Sequence, residues 1–535
     1  MGVRHHFSAK VTVSFRYDTI LFMKIRVRYA PSPTGLQHVG GIRTALFNYL
    51  FSRSSNYQGG KFILRLEDTD RTRFDESYVQ NLYDTFNWLG FKWDEGPDCG
   101  GPLNPYIQSE RTEHYIKYAQ ELLDKGKAYY CFCSAQRIEE VRLQREAARS
   151  SETGYDRLCR NIDPTEAAKR AGAREACTVR LKIPLGDSSR SETTRFYDHL
   201  LGDIEWKNDD INPDPVLLKS DGFPTYHLAN VVDDHLMEIT HVLRAQEWLA
   251  STPLHVIMYS AFGWTPPEFC HLPMVMGQDG KKLSKRHGAT SIDEFRKKGY
   301  LPDALINYIA LLGASYEKSS YEEGLRDNVH TDIYSLDELA RSFNLEKLNK
   351  APAVFDYKKL EWYNGQYIRM KSDEELAALC LPYAIEAGLF EGKEPSVKQL
   401  EIFTSAMALV KERLVLLGEV PEKIAYLFHE PDVPAPEEFI PKKADLTKTI
   451  ELLMIGMEIV QTLAEMPDDE QAEIFIKAEA EKREIKLGDL MMPLRVAITG
   501  SRVSPPLFGS LRILGPECSK KRIQKALDKL NQFSS

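Results

Sequence analysis

The first part of the chain alternates between strand-like and helix-like patterns. Basic residues alternate with apolar or aromatic ones from Lys24 to Tyr29, which indicates a strand. Residues 42–52 place apolar side chains at helical spacing, and the apolar run 62–66 predicts a second strand. Because parallel strands bind ligands beyond their carboxyl ends, we expect the loops 32–41 and 67–70 to share one cleft.

The middle and the end of the chain follow different patterns. Segment 106–219 carries many charges and irregular Gly, Ser and Pro content around 184–191, so we interpret it as an insertion. Apolar runs and turns resume at 216–249, which we expect to complete a nucleotide-binding sheet. After residue 373 the periodicity is helical, which predicts an all-helical C-terminal region. The clearest helical runs are 374–379, 397–417 and 446–464.

Composition indicates a multidomain globular protein. The chain has 535 residues, which is longer than one hydrophobic core usually supports. With 43% hydrophobic and 27% charged residues, its composition is that of ordinary globular proteins. Apolar runs are interrupted long before the roughly 18 residues that a membrane-spanning helix needs. Eight cysteines in so long a chain fit a reducing compartment, so we expect a cytoplasmic protein with no membrane partner. The net charge of -9 argues against indiscriminate nucleic-acid binding but allows local basic faces.

The residues before Met23 form a candidate targeting segment. They contain Arg4, Lys10 and Arg16 against a single acid, Asp18, which is weakly typical of a transit peptide. Met23 also opens the first strand directly, as a natural start would. Both interpretations of the extension stay open.

His38-Val39-Gly40-Gly41 stands between a predicted strand and a predicted helix. Small residues there let the backbone approach a phosphate, and a helix N-terminus favours negative charge. The His38 imidazole can donate a hydrogen bond to a phosphoryl oxygen. An ordinary glycine turn would look the same, so this tetrad alone does not decide between the two.

A second motif, Lys282-Leu283-Ser284-Lys285-Arg286, follows a turn that contains Gly280. Lysines on such a loop neutralise the charge that develops on a leaving pyrophosphate, which accounts for most of the catalysis in phosphoryl transfer. The alternative is a solvated basic turn, which is what most charge runs are.

The two motifs together resemble the paired HIGH and KMSKS motifs of class I aminoacyl-tRNA synthetases. The context at 28–35 and 67–70 narrows the resemblance to the glutamyl and glutaminyl branch. Two departures are visible: the first motif ends in Gly41 instead of histidine, and the second has Leu283 and Arg286 in place of methionine and serine. Both variants occur in that branch.

The resemblance covers roughly residues 24–535. It implies an α/β Rossmann-type class I catalytic domain with an α+β acceptor-stem insertion and an all-α C-terminal anticodon-binding region. The implied domains are an N-terminal extension at 1–23, the catalytic domain at 24–105 and 220–262, the insertion at 106–219, a stem-contact region carrying the lysine loop at 263–372, and the anticodon-binding region at 373–535.

The activity implied is that of a bacterial-type glutamyl enzyme. It would activate L-glutamate with ATP and Mg²⁺ to glutamyl-adenylate, then transfer it to the 3′ end of tRNA-Glu, as a monomer. Whether tRNA-Gln is also charged stays open. A glutaminyl enzyme has a β-barrel anticodon region, and a tRNA-modifying relative lacks one, so the helical C-terminal region opposes both. A non-catalytic relic is opposed by the retained His38, Lys282, Lys285, Glu67 and Arg244.

By resemblance, the functional positions form three overlapping sets. Arginine suits carboxylate recognition because its planar donors pair with both oxygens, and Glu67 would pair with the substrate ammonium. The catalytic set is His38, Gly40, Gly41, Lys282, Ser284 and Lys285. The glutamate-binding set is Arg28, Ala30, Ser32, Glu67, Tyr226, Asn230 and Arg244. The ATP-binding set is His38, Gly40, Glu247, Val275, Lys282 and Lys285.

Three cysteines and a tyrosine form a candidate metal site. Cys131, Cys133, Tyr155 and Cys159 can place three thiolates and a phenolate around one ion. Zn²⁺ prefers four ligands drawn from Cys and His, and no CxxC pair is present, so the chemistry alone slightly favours free thiols. The resemblance implies a structural zinc, since some bacterial glutamyl enzymes carry one in this arrangement.

The C-terminal region offers candidate tRNA contacts, because arginine can pair with base edges and stack on them. By resemblance, the anticodon contacts are Arg413, Arg495, Ser504, Pro505 and Leu507. The basic tail at 520–529 can contact phosphates or form a solvated helix face, and for any one lysine we favour the solvated face.

Overall fold

The computed structural model describes residues 24–55, 59–69, 73–150, 154–186, 192–316, 332–392 and 394–534. The N-terminal extension 1–23, Asp70, and positions 187–191 of the irregular stretch lie outside them. The described chain forms two compact units. The first comprises the residues up to Ile292 with those of Ile306–Phe355, and the second comprises Asp293–Leu305 with the residues from Asp356 onward. No helix in the described ranges is long and apolar enough to cross a membrane.

Parallel strands organise the first unit. Strands β1 (Arg26–Tyr29) and β2 (Lys61–Leu64) pair in parallel, and helix α1 (Val39–Arg53) connects them. This order confirms the strand, helix and strand predicted for the start of the chain. Strands β8 (His241–Ala245) and β9 (Glu268–Leu272) also pair in parallel. The Thr240 amide donates to the Arg26 carbonyl at 2.9 Å, which places β8 beside β1. The carboxyl ends of all four strands therefore lie at one edge.

A hairpin extends this sheet on the far side of β9. Its strands β5 (Thr193–Asp198) and β6 (Gly202–Lys207) pair antiparallel, and β5 runs parallel to β9. Both strands fall within 106–219, the range interpreted as an insertion. The segment 216–249 was expected to complete the sheet. Its strand β8 does so, whereas its strand β7 (Val216–Leu218) pairs with β4 (Thr178–Leu181) in a separate sheet.

The other elements of the first unit surround these strands. Helices α3 (Thr112–Asp124), α6 (Tyr226–Leu236) and α7 (Thr252–Phe262) share an apolar core with strands β4 (Thr178–Leu181) and β7. Tyr115, Leu228 and Met258 are fully buried in this core. The remaining strands are β3 (Ala128–Cys131), β4 (Thr178–Leu181), β10 (Val275–Met276) and β11 (Ala353–Val354). The remaining helices are α2 (Glu76–Leu89), α3 (Thr112–Asp124), α4 (Ala135–Ala147), α5 (Pro164–Gly172), α6 (Tyr226–Leu236), α7 (Thr252–Phe262) and α10 (Leu336–Ser342). Helices α8 (Ile292–Lys298) and α9 (Pro302–Leu311) contain the unit boundaries.

The long elements of the second unit are all helices, as predicted. Two of them begin with capping boxes, in which Ser372 or Ser396 accepts a backbone hydrogen bond. The apolar faces of the helices after residue 445 meet in a core where Leu453, Leu494 and Leu511 are fully buried. The helices are α11 (Tyr357–Arg369), α12 (Asp373–Glu386), α13 (Val397–Val410), α14 (Val420–Phe428), α15 (Leu446–Glu465), α16 (Asp469–Lys482), α17 (Leu487–Thr499) and α18 (Leu507–Ser534).

A close backbone approach fixes one loop of the second unit. Gly299 has a φ of +93°, and a Cβ atom there would lie 2.4 Å from the Gly418 amide nitrogen. The Leu417 amide donates to the Gly299 carbonyl at 3.0 Å. Only glycine satisfies both the backbone angle and this contact.

We expect Gly299→Ala to lower the free energy of unfolding of the second unit by roughly 3 kcal/mol or more, because a backbone collision adds to the strain of positive φ. Gly388→Ala is the matched control: its φ is +67°, and no described atom lies within 4 Å of the added Cβ. That control should cost about 1 kcal/mol. Urea unfolding followed by circular dichroism measures both, and equal losses would contradict the close approach.

Candidate active site

The carboxyl ends of the parallel strands line a cleft of about 1490 Å³ in the first unit. The structure brings every residue predicted for glutamate binding, ATP binding or catalysis to the walls of this cleft, while their individual roles stay predictions. These residues are Arg28, Ala30, Ser32, His38, Gly40, Gly41, Glu67, Tyr226, Asn230, Arg244, Glu247, Val275, Lys282, Ser284 and Lys285.

His38 caps the N-terminus of α1 at the mouth of the cleft. Its Nδ1 accepts a hydrogen bond from the Gly41 amide at 3.3 Å. Burial and the Lys282 charge lower the pKa of His38, although Glu247 opposes them, so the ring is neutral at pH 7 and carries its proton on Nε2. A Cβ on Gly41 would lie 2.8 Å from the Tyr29 hydroxyl, so this position requires glycine. The tetrad therefore presents an N–H donor at a helix N-terminus.

Backbone hydrogen bonds join the two motifs that lie far apart in sequence. The Val39 amide donates to the Thr290 carbonyl at 3.1 Å, and the Ile292 amide donates to the Gln37 carbonyl at 3.0 Å. These bonds anchor the segment after the lysine loop to the start of α1. Ligands held by one motif are therefore within reach of the other.

The cations of the lysine loop (281–286) divide into two groups. Lys282 and Lys285 line the cleft, and Lys282 forms an ion pair with Glu247. Arg286 instead pairs with Asp279 at 3.3 Å, and His287 contacts the same carboxylate at 3.0 Å. Asp279 thereby holds the base of the loop while the two lysines face the cleft.

A buried ion network, Arg28, Arg65, Asp234 and Glu67, forms the floor of the cleft. Arg28 donates to both oxygens of Asp234, at 3.0 and 3.2 Å. Arg65, fully buried, donates to Asp234 at 2.7 Å and to Glu67 at 3.2 Å. Burial would raise the pKa of Asp234, but Arg28 and Arg65 outweigh it and the pKa lies below its ordinary value. Within the floor network two cations balance two carboxylates. Asp233, 3.9 Å from Arg65, is itself paired with Arg111 at 2.7 Å, so the group is electrically neutral when its acids are ionised.

Arg244 differs from Arg28 because its hydrogen-bond acceptors are all neutral. Its Nε donates to His271 Nε2 at 3.0 Å, and its Nη2 donates to Thr252 Oγ1 at 2.7 Å. Its Nη1 reaches the Tyr226 hydroxyl at 3.3 Å. No carboxylate of the described chain forms an ion pair with Arg244, and burial lowers its pKa. The cleft therefore contains a buried, uncompensated positive charge.

Sequence reasoning missed several residues that position these groups. Arg65 and Asp234 hold the floor network, and Asp198 and His271 stand behind Arg244. Trp248 also lines the cleft, with its ring 4.5 Å from that of Tyr226. One signal was available, since an acidic pair, 233–234, directly follows apolar residues of a helix and so marks buried charge.

The candidate zinc residues converge in the first unit. Cys133 and Cys159 sulfurs lie 3.6 Å apart, and the three Sγ atoms, including that of Cys131, lie within 4.8 Å of one another. The Tyr155 hydroxyl lies 3.3 Å from Cys131 Sγ and 3.5 Å from Cys133 Sγ. Two sulfurs at ~2.3 Å from one tetrahedral zinc are about 3.8 Å apart, so the donor set fits this ion.

The predicted anticodon residues differ in accessibility. Arg413 is exposed, whereas Arg495 is half-buried and donates to Ser504 Oγ at 2.8 Å and to the Pro505 carbonyl at 2.9 Å. Burial and the Arg413 charge lower the pKa of Arg495. Leu507 is 2% exposed in the helical core, so its side chain supports the segment and does not face solvent.

Basic side chains of the tail at 520–529 contact other groups of the second unit. Arg522 is buried and donates to the carbonyls of Ile498 and Tyr426, so it is not a phosphate ligand. Lys521 and Lys525 pair with Glu430, and Lys529 donates to the Val433 carbonyl. These partners within the protein favour a helix face over phosphate contact for the tail.

Two family models match the chain in succession. The catalytic domain of class I tRNA synthetases (E and Q) matches residues 24–362, and an anticodon binding domain matches residues 375–527.

Similar proteins match more than nine-tenths of the chain. A glutamate–tRNA ligase of Treponema denticola is 57% identical over 524 residues, covering 94% of this chain and 99% of its own length. One of Borrelia duttonii is 47% identical and covers 96% of this chain and 97% of its own. The crystal structure of a glutamate tRNA ligase from Elizabethkingia meningosepticum, in complex with its amino acid, superposes with a TM-score of 0.80 at 33% identity, covering 95% of this chain and 100% of that one. With a catalytic model that spans more than half of its length, the chain belongs to the class I tRNA synthetases of the glutamyl and glutaminyl (E and Q) family.

Proposed function

We propose that the activity of this chain, ligation of glutamate to tRNA at the expense of ATP, takes place in the strand-end cleft. The single observation that carries the proposal is Arg244, a buried cation without a carboxylate partner in the described chain. Such a cation favours an anionic ligand over a neutral one of the same shape. Glutamate meets that requirement and glutamine does not.

The cleft offers complementary charge to each end of glutamate. Arg244 receives the side-chain carboxylate, and Glu67, 8% exposed, receives the ammonium group. Burial raises the pKa of Glu67 even though Arg65 and Arg28 oppose it, and the incoming ammonium favours its ionised form. Arg28 is already neutralised by Asp234, so it contributes hydrogen-bond donors and no surplus charge.

The phosphate motifs act on ATP. A glutamate α-carboxylate oxygen attacks the ATP α-phosphorus, and pyrophosphate leaves from the opposite side. His38 Nε2 donates to a phosphoryl oxygen, and Lys282 and Lys285 neutralise the pyrophosphate. Glu247, which lines the cleft and pairs with Lys282, holds the ATP ribose in this proposal.

Mg²⁺ would be held mainly by the phosphates. Of the carboxylates that line the cleft, Glu67 and Glu247 already pair with Arg65 and Lys282, which leaves Asp221 as an available ligand. This donor set fits Mg²⁺, because that ion commonly takes one or two carboxylates together with substrate phosphates and waters. When bound, it would neutralise part of the phosphate charge.

The remaining segments contact tRNA in this proposal. The catalytic domain comprises 24–105 and 220–262, the acceptor stem meets the insertion 106–219, and 263–372 carries the lysine loop and contacts the stem. The helical region 373–535 reads the anticodon. There Arg413, Arg495, Ser504 and Pro505 offer side chains or backbone groups at one place, whereas Leu507 packs beneath them.

We also propose that the cysteine cluster (Cys131, Cys133, Tyr155 and Cys159) binds one structural Zn²⁺. The convergence of four donor atoms supports this assignment, and Arg137 Nη1, 3.5 Å from Cys133 Sγ, offsets the thiolate charge. Zinc would cross-link the segments that follow β3 and lead to α5.

Charging of radiolabelled glutamate tests the activity. Wild-type enzyme should charge tRNA-Glu, and Lys285→Ala should lower the rate about 100-fold because it removes charge from the leaving pyrophosphate. Lys281→Ala is the matched control, since Lys281 lies on the same loop but does not line the cleft. Charging of tRNA-Gln as well makes the enzyme a misacylating type. Failure to charge either tRNA overturns the proposal.

Substitutions of His38 separate its two contacts. His38→Asn keeps a short acceptor for the Gly41 amide but loses the distal N–H, so ATP–pyrophosphate exchange in the presence of tRNA should fall about 100-fold. His38→Gln places an amide N–H near the position of Nε2 and should retain clearly more activity. If the two variants are equally active, His38 does not donate to the phosphate.

Metal analysis tests the cysteine cluster. Protein purified without chelator should contain one zinc per chain, and Cys133→Ser should lose it and unfold at a lower temperature. Cys177→Ser, a half-buried cysteine outside the cluster, should retain the metal. A wild-type protein without zinc would return the cluster to three free thiols and a phenol.

A further inference from the structure

Asp198 ends β5 as a fully buried carboxylate with four hydrogen-bond donors around it. Its Oδ1 accepts from the amides of Leu200 and Leu201 at 3.0 and 2.9 Å. Its Oδ2 accepts from the His271 amide at 3.0 Å and from His271 Nδ1 at 2.6 Å. Burial would raise the pKa of Asp198, but these bonds outweigh it and the pKa lies below its ordinary value. Asp198 is therefore ionised and can only accept.

The ionised carboxylate determines the tautomer of His271. Because Asp198 accepts, His271 Nδ1 must carry a proton and donate it. Burial and Arg244 lower the pKa of His271 in spite of Asp198, so the ring is neutral and its Nε2 presents a lone pair. Arg244 Nε lies 3.0 Å from that atom and is a donor only. A proton on Nε2 would place two donors face to face.

The sheet aligns these groups without distortion. Arg244 and His271 are register partners on the parallel strands β8 and β9, and Asp198 pairs with Phe269 on the other side of β9. Thr252 Oγ1 joins the same group, 3.0 Å from His271 Nε2 and 2.7 Å from Arg244 Nη2. All four side chains are buried; three stand on paired strands, and Thr252 stands at the start of α7.

We propose that Asp198 and His271 are positioning residues that select glutamate over glutamine by fixing Arg244 through a neutral acceptor. The proposal rests on the proposed function and deepens it. Its physical basis is the distance of the negative charge from Arg244: a carboxylate in direct contact would orient the guanidinium and also cancel its charge. An imidazole between them orients the guanidinium while its charge stays available to the substrate.

Two substitutions cut this chain of hydrogen bonds at different links. His271→Asn retains an amide N–H for Asp198, which keeps that carboxylate paired, but it is too short to reach Arg244. Asp198→Asn puts an amide N–H where the acceptor was, which favours the opposite tautomer and turns an N–H towards Arg244. Cys270→Ala is the matched control, because Cys270 is buried on the opposite face of the same strand.

The readouts are the KM for glutamate, the KM for ATP and the inhibition constant of glutamine, each in tRNA charging assays. Both test variants should raise the KM for glutamate between about 10- and 100-fold, as expected for a lost hydrogen bond to a charged group. The KM for ATP should stay constant, and the inhibition constant of glutamine should change less than the KM for glutamate. Cys270→Ala should alter none of the three.

Each possible outcome decides the matter. Unchanged KM for glutamate in a folded His271→Asn or Asp198→Asn enzyme overturns the proposal, and so does equal weakening of glutamate, glutamine and ATP. Should one variant fail to fold, the other gives the decision alone. If the wild-type enzyme charges no tRNA with glutamate, the proposed function itself is refuted. If the wild-type enzyme charges tRNA but the variants keep their KM for glutamate, only the roles of Asp198 and His271 are refuted.

Discussion

The Asp234 carboxylate is the group on which the geometry of the cleft depends. It bonds Arg28 at the end of β1 and Arg65 just beyond β2, so one anion fixes two strand ends. Removing one partner of a buried ion pair leaves an uncompensated charge and costs several kcal/mol. The parallel strands, the neutral floor network and the walls of the cleft are therefore mutually dependent.

The cleft combines groups held in two different ways. Arg28 and Arg244 stand on strands whose hydrogen-bonded register fixes their positions, and Asp234 of the floor network stands on helix α6. The segment after the lysine loop is tied to α1 through backbone bonds such as that from the Val39 amide to the Thr290 carbonyl. In the proposed function, amino-acid recognition uses groups at the end of the sheet, whereas phosphate binding uses a loop and a helix N-terminus. Such a division suits a reaction in which the amino acid must be selected and the pyrophosphate must leave.

Local pattern in the sequence predicted much of this arrangement. The alternation from Lys24 to Tyr29, the helix after it and the apolar run 62–66 were sufficient to place the loops after β1 and β2 at the carboxyl ends of parallel strands. The pairing of β5 with β9 was not predictable, because contacts between distant strands leave no local pattern. The partners of Arg244 were missed for a related reason: His271 and Asp198 look like ordinary strand residues until the fold buries them together. The roles of individual site residues stay predictions.

The contrast between Arg28 and Arg244 explains how one cleft can bind an amino acid with two carboxylates. Arg28 is neutralised by Asp234, so it orients a ligand without demanding charge. Arg244 meets only neutral acceptors in the described chain, so its burial is electrostatically unfavourable without an anionic ligand. A side-chain carboxylate relieves that cost, while a carboxamide supplies shape and hydrogen bonds but no charge. In the proposed mechanism, discrimination between ligands of nearly equal size comes from the charge that Arg244 keeps before binding, and the hydrogen bonds behind Arg244 preserve that charge.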